Sequence, residues 1–277
     1  MENVHRPELV ASDVDGTLLD PLERITERTG RMVNAVVAAG VPFVLVSGRP
    51  PRWIPPVSEA AGLTGYAVCA NGATVYDIGA DEVLSVRGLD PMQLGDIVHA
   101  VSAALPEIAV STERTEVGSP LKESYAMEAE FQNPWGDPHG VEGVASELTR
   151  AEVLGRTATK LLIRHRGMTS DLLAAAVHEV VGDMPLELTY SSNHGLLEVS
   201  AAGVTKASGL ELVCDLVGVP AERVVAFGDM PNDVPMLKWV GHGVAMANAH
   251  PDLLAVADEV TAPNSEDGVA QVLERWF

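Results

Sequence analysis

Two carboxylates one residue apart, Asp13 and Asp15, stand in the run Asp13-Val14-Asp15-Gly16-Thr17-Leu18-Leu19, directly after Leu9-Val10-Ala11-Ser12. A short buried strand is expected to end there, with a glycine turn behind it. Carboxylates at such a strand end lose hydration, which is unfavourable unless a cation or hydrogen-bond donors replace the water. A hard divalent cation suits them, because Mg²⁺ binds through one or two carboxylates together with substrate phosphate oxygens. An aspartate that can also attack phosphorus makes the site one for phosphoryl transfer.

Other polar residues close other apolar runs. Ser47 follows Val41 to Val46, and Asp229, Asn232 and Asp233 follow Arg223 to Phe227. In open α/β sheets the ligand binds beyond the carboxyl ends of the strands, so these groups are expected to converge. Phosphoryl transfer needs neutralising charge and in-line positioning. Asp13 as nucleophile forms an aspartyl-phosphate, which splits hydrolysis into two easier steps. Asp15 then protonates the leaving oxygen and later deprotonates the attacking water. Asp13 and Asp229 would hold Mg²⁺, and Ser47 with the backbone N–H groups near Gly16 and Gly48 would donate to phosphate oxygens. A cationic side chain is still required. Lys206, in the polar break Gly203-Val204-Thr205-Lys206 at the head of a predicted helix, is the candidate.

The elements that must position these residues follow from periodicity. Pro7 to Val14 reads as a buried strand. Thr26 is the predicted N-cap of a helix over Glu27 to Ala39, stopped by Gly40. Val41 to Val46 and Tyr66 to Ala70 are further short apolar strands, and strands of this kind separated by helices argue for a parallel sheet covered on both faces. From Val83 the pattern changes to shorter alternating strands (Ala158 to His165, Pro185 to Ser191), a helix over Asp171 to Val181, and a Pro/Gly-broken stretch from Gln132 to Gly143. The opening pattern resumes at Ala207 to Val217 (helix), Arg223 to Phe227 and Gly243 to Ala247 (strands) and Gly268 to Phe277 (helix). The expected architecture is α/β: a Rossmann-like doubly wound parallel-sheet core from 1–82 and 196–277, with an α+β domain, 83–195, inserted in it.

Composition narrows the partners. The 277 residues are 47% hydrophobic and 21% charged, as in ordinary globular proteins, and carry a formal charge of −21. Such a field disfavours nucleic acid and anionic membranes, whose binding needs basic patches. It equally requires any phosphate site to carry local positive charge. Cys69 and Cys214 lie in apolar runs and read as buried free thiols of a reducing compartment. No signal peptide and no stretch near the ~20 apolar residues of a membrane span is visible, so a cytoplasmic protein is expected.

The set DVDGTLL, VLVSGR, Lys206 and GDMPND resembles the four motifs of the haloacid dehalogenase superfamily. The insertion between the second and third motifs is similar to the C2B cap of its Cof-type sugar phosphatases (subfamily IIB). Asn71-Gly72-Ala73, the run EVSAAGVTK from Glu198 to Lys206, and Asp267-Gly268-Val269 extend the likeness over nearly the whole chain. The resemblance implies a Mg²⁺-dependent phosphatase with Asp13 as nucleophile, Asp15 as acid/base and Asp229 as metal ligand. It also implies metal coordination by the Asp15 backbone carbonyl, phosphate contacts from Ser47, Lys206 and Asn232, and a supporting role for Asp233. One departure is Ala202, where many relatives carry proline, which bears on a hinge and not on the chemistry.

Each motif also admits a purely structural reading. Asp229 could be the N-cap of a helix starting at Pro231, but capping does not require the further polar residues Asn232 and Asp233. Asp233 would orient Lys206 or a metal-bound water. Arg49 could serve a phosphate or simply leave the loop with Pro50, and it is not assigned. Trp135 and His139 read as surface residues of the inserted domain. The histidines show no zinc spacing, Gly241-His242-Gly243 is half a dinucleotide fingerprint, and no P-loop is present. The expected function is hydrolysis of a small phosphomonoester, a sugar phosphate or related metabolite. The alternatives are a sugar phosphomutase on the same core and a non-enzymatic phosphoacceptor or ligand sensor.

Overall fold

The computed structural model describes residues 6–118, 125–131, 144–145 and 148–277. Trp135, His139 and the stretch around them lie outside these. The chain divides into two compact units, 1–82 with 205–277, and 83–204.

The first unit is built on a sheet whose strands run, in spatial order, Glu259–Val260, His242–Ala245, Val224–Gly228, Leu9–Ser12, Phe43–Val46, Tyr66–Cys69 and Thr74–Asp77. All neighbours are parallel except the last, which turns back antiparallel on Tyr66–Cys69. The chain starts in the middle and winds outward in both directions, so the switch point lies between Leu9–Ser12 and Val224–Gly228. Both faces are covered. Leu9, Ala11, Val44 and Val46 pack with Leu210 and Val213 of the Lys206–Val217 helix and Leu237 of Val234–Trp239. The alternate residues Val10, Phe43 and Leu45 are buried as well. This two-sided burial is why the strands read as unbroken apolar runs.

The strands are shorter than the apolar runs predict, for local reasons. Pro7 and Pro42 have no N–H for the ladder, and Val14 already belongs to the turn behind the strand. The Glu27–Ala38 helix starts as expected, with the Thr26 hydroxyl accepting from the Thr29 N–H at 3.1 Å, and Gly40 follows it at φ +76°. The closing helix is Gly268–Leu273 and not Gly268 to Phe277. Its last turns tighten, and the Trp276 and Phe277 N–H groups both bond to the Leu273 carbonyl.

The second unit carries a mostly antiparallel sheet in the order Leu186–Thr189, Leu196–Ala201, Lys160–Arg164, Ala109–Glu113, Tyr125–Met127, Val144–Ala145. The helices Pro91–Ala104, Arg150–Leu154 and Ser170–Val181 bury Leu94, Ile97, Val153, Leu173 and Val177 against Val110, Leu161, Ile163, Leu197 and Val199. Among the described residues no helix is long and apolar enough to cross a membrane. Cys69 and Cys214 are buried and are not joined in a disulfide.

Candidate active site

The site of interest sits at the switch point of the first unit. Asp13 directly follows the Leu9–Ser12 strand, and its N–H donates to the Phe227 carbonyl of the neighbouring strand at 2.9 Å. Asp229 directly follows that neighbour. The chain after Asp13 makes one wide turn, Val14–Leu18, closed by the Leu19 N–H on the Val14 carbonyl at 3.0 Å. Gly16 lies in it at φ +77°, and a Cβ there would sit 2.2 Å from Asp229 Oδ2. Only glycine lets the two strand-end loops approach this closely.

Lys206 opens its helix behind the Thr205 N-cap and is fully buried, at 0% exposure. Its Nζ donates to Asp13 Oδ1 and Asp233 Oδ1, both at 2.6 Å. Two of the three ammonium protons are thereby used, which leaves one for a ligand oxygen. Burial alone would lower the Lys206 pKa, but Asp13 and Asp233 outweigh it and hold the ammonium firmly charged.

The carboxylates outnumber this cation. Asp13, Asp229 and Asp233 each offer an oxygen within 4.8 Å of the others, and all three are buried. Burial, first of all, keeps the Asp13 carboxyl well above its ordinary range, with Asp233, Asp229 and Asp15 adding to it against the pull of Lys206. Asp229 is pushed up to about 7 by burial and then by Asp233, although Lys206 and the Thr17 hydroxyl, 3.1 Å from its Oδ1, act the other way. Two carboxyl groups held up in this manner fit a hard divalent cation, because a cation would replace the lost hydration and remove the repulsion that together raise them. Asp233 has less to offer it. Its Oδ1 takes Lys206, and its Oδ2 accepts the N–H groups of Asp229 and Met230 at 3.0 Å each. The residue at the cap position before Pro231 is Met230, not Asp229, and Asp233 reaches back from the first turn to the N–H groups ahead of it, which leaves the Asp229 side chain to the cluster.

The sequence matches the haloacid dehalogenase-like hydrolases over residues 10–273. The chain belongs to that family. It is similar to the 5-amino-6-(5-phospho-D-ribitylamino)uracil phosphatase of Bacillus subtilis, 28% identical with 98% of each chain covered. It is also similar to the pyridoxal phosphate phosphatase of Escherichia coli, 29% identical over 96% of this chain and 97% of that one. Among solved structures, a haloacid dehalogenase subclass IIB sugar phosphatase superposes with a TM-score of 0.81 over 97% of this chain and 98% of its own, at 22% identity. The likeness covers the core and the inserted unit together. This haloacid dehalogenase-like protein is an enzyme of the phosphomonoester hydrolase class.

The remaining predicted residues lie on the loops that follow Leu9–Ser12, Phe43–Val46 and Val224–Gly228. The Asp15 side chain is half exposed, apart from the buried trio, and forms a two-pronged ion pair with Arg49: Nε donates to Oδ2 at 2.8 Å and Nη2 to Oδ1 at 2.6 Å. Burial would lower the Arg49 pKa, but the Asp15 hydrogen bonds raise it further. Ser47 is buried behind Phe43–Val46, and its Oγ accepts the Arg49 N–H across Gly48 at 3.1 Å. Asn232 donates through Nδ2 to Asn71 Oδ1 at 3.1 Å, while its own buried Oδ1 has no partner among the described residues.

Several contributors went unassigned in the sequence. Arg49 follows Ser47-Gly48, within reach of the strand end, but its type and place fit a loop exit as well as a phosphate contact. Thr17 sits inside the first motif. Asn248 donates to the Gly16 carbonyl at 2.9 Å and Asn264 to the Leu19 carbonyl at 2.8 Å, so they brace the turn from both sides. No spacing in the sequence points to these two asparagines.

Proposed function

We propose that the protein hydrolyses a small phosphomonoester, a sugar phosphate or related metabolite, in a Mg²⁺-dependent reaction through an aspartyl-phosphate on Asp13. The single observation behind this reading is the buried ammonium of Lys206 shared by Asp13 and Asp233, with Asp229 beside them at the switch point. Mg²⁺ would be held by Asp13, Asp229 and the Asp15 backbone carbonyl, and would neutralise phosphate charge so that a carboxylate can approach phosphorus.

The side chains divide the work. Lys206 holds one Asp13 oxygen and spends its remaining proton on a phosphate oxygen. Ser47, Asn232 and the N–H groups around Gly16 and Gly48 donate to the others. Asp13 attacks phosphorus, and Asp15, once freed from Arg49 and protonated from solvent, gives that proton to the departing alkoxide. Asp15 then takes a proton from the water that attacks the aspartyl-phosphate, which frees Asp13 and inorganic phosphate. Arg49 keeps Asp15 at the rim until substrate displaces one prong of the pair. The substrate class draws support from the relatives named above, which act on a phosphoribityl compound and on pyridoxal phosphate.

The test is Asp13→Asn assayed for Mg²⁺-dependent phosphate release against a panel of phosphorylated metabolites. Release is expected to vanish while the fold persists, and retained turnover would remove the covalent step. A product that is an isomeric sugar phosphate, with no free phosphate, would replace hydrolysis by mutase chemistry.

A further inference from the structure

One turn outside the assigned residues touches three of the groups used above. After the Tyr66–Cys69 strand, Ala70, Asn71 and Gly72 follow one another in left-handed backbone, at φ +49°, +57° and +99°. Ala70 and Asn71 are buried, at 1% and 2% exposure. Left-handed backbone is unfavourable for a residue with a Cβ, and such strain persists only where the surroundings over-determine it, commonly at functional sites.

The surroundings here are the site. The Ala70 N–H donates to the Arg49 carbonyl at 2.9 Å and the Asn71 N–H to the Ser47 carbonyl at 3.1 Å. Gly72 lies so close to the residue before Lys206 that a Cβ would stand 1.9 Å from the Thr205 carbonyl oxygen. The Asn71 side chain meets Asn232, accepting from its Nδ2. A carboxamide has a donor end and an acceptor end, so whichever end Asn71 engages decides what Asn232 shows to a ligand. With the bond as found, Asn232 keeps one N–H for a phosphate oxygen. It also presents a buried acceptor, Oδ1, that calls for a donor such as a water or a substrate hydroxyl.

We infer that Asn71 is a positioning residue, which orients the Asn232 carboxamide and, through its strained turn, ties Ser47 and the head of the Lys206 helix to it. The inference rests on the phosphatase reading proposed above. Asparagine tolerates left-handed backbone for local reasons alone, so the side chain must be separated from the backbone in the experiment. Asn71→Gly does this, since glycine adopts the same φ freely and lacks the carboxamide.

The assay is kcat and KM on p-nitrophenyl phosphate with Mg²⁺, beside the rise in Tm that Mg²⁺ with inorganic phosphate produces. Asn71→Gly is expected to fold, to lose kcat about 10-fold or more with KM within about 2-fold, and to show a smaller rise in Tm. Asn71→Asp, which still accepts from Asn232 Nδ2, recovers most of both. In an Asn232→Ala background Asn71→Gly causes no further loss, because the two act as one unit. Wild-type kcat and Tm response in Asn71→Gly, or a full independent loss in the Asn232→Ala background, overturns the inference. If the glycine variant does not fold, Asn71→Asp decides, and a 10-fold loss of kcat there overturns it. Absence of phosphatase activity in the wild-type protein would sink the functional reading instead, and the Tm response would still report the pairing of Asn71 with Asn232.

Discussion

Each of the two units buries a lysine against carboxylates, and the two arrangements differ in what they leave over. In the inserted unit, Lys160 donates to Glu198 Oε2 at 2.5 Å, and Ser191 donates to the other oxygen at 2.6 Å. Both oxygens of Glu198 are thus served, within strands whose register also sets Glu113 opposite Lys160. In the first unit, Lys206 serves one oxygen of Asp13 and one of Asp233, and Asp229 stands beside them with no ion pair of its own among the described residues. That cluster lies beyond the strand ends, where the sheet switches direction. A buried pair inside a ladder holds strands together. A buried excess of one charge at a switch point is held in place by the fold around it and waits for a ligand to balance it.

The largest expected effect is chemical. Asp13→Asn should lower kcat by about 10⁴-fold or more while metal-free Tm holds or rises, since a repelling buried carboxylate is removed. A fall in both would make Asp13 structural, like Glu198. Next comes Lys206→Met, expected to reduce kcat by about 10³-fold. It should also destabilise the fold, because Asp13 and Asp233 lose their shared cation. Mg²⁺ should restore part of the Tm if the excess charge is a cation site.

Lys160→Met should reverse that pattern, with a stability loss of about 3–5 kcal/mol in denaturant melts and kcat on p-nitrophenyl phosphate within about 3-fold. A large loss of kcat without destabilisation would erase the contrast between the two lysines.

The smallest effect is a pH dependence. Asp229 titrates near 7 in the folded chain against an ordinary value of 3.8. Between those values the folded chain keeps a proton that the unfolded chain has lost, so metal-free stability falls as pH rises through the window. Cation binding expels that proton, and the Tm gain from Mg²⁺ should grow over the same range. A Tm gain independent of pH would mean that Asp229 does not face the ion.

Much of this was legible before any coordinates. The valine-rich runs that end at Asp13, Ser47 and Asp229 identify parallel strands because a strand buried on both faces must be apolar at every position. Thr26 and Gly40 bracket their helix because capping is a local transaction between neighbours. What stayed hidden involves partners distant in sequence. Arg49 meets Asp15 across 34 residues, Asn232 meets Asn71 across 161 and Thr17 meets Asp229 across 212. No periodicity records such meetings. The backward reach of Asp233 to the Asp229 and Met230 N–H groups was equally hidden, since the sequence does not say which way that side chain turns.

The sequence by itself determined which residue types end the strands, and so the class of chemistry around Asp13 and Asp15. Tertiary structure alone decided how those two neighbours differ. Packing beside Lys206, Asp229 and Asp233 takes Asp13 out of water and raises its pKa. Two residues on, the Val14–Leu18 turn carries Asp15 out to Arg49 and solvent. Carboxylates two positions apart acquire separate tasks because desolvation and neighbouring charge act through space, and only the folded chain fixes those distances.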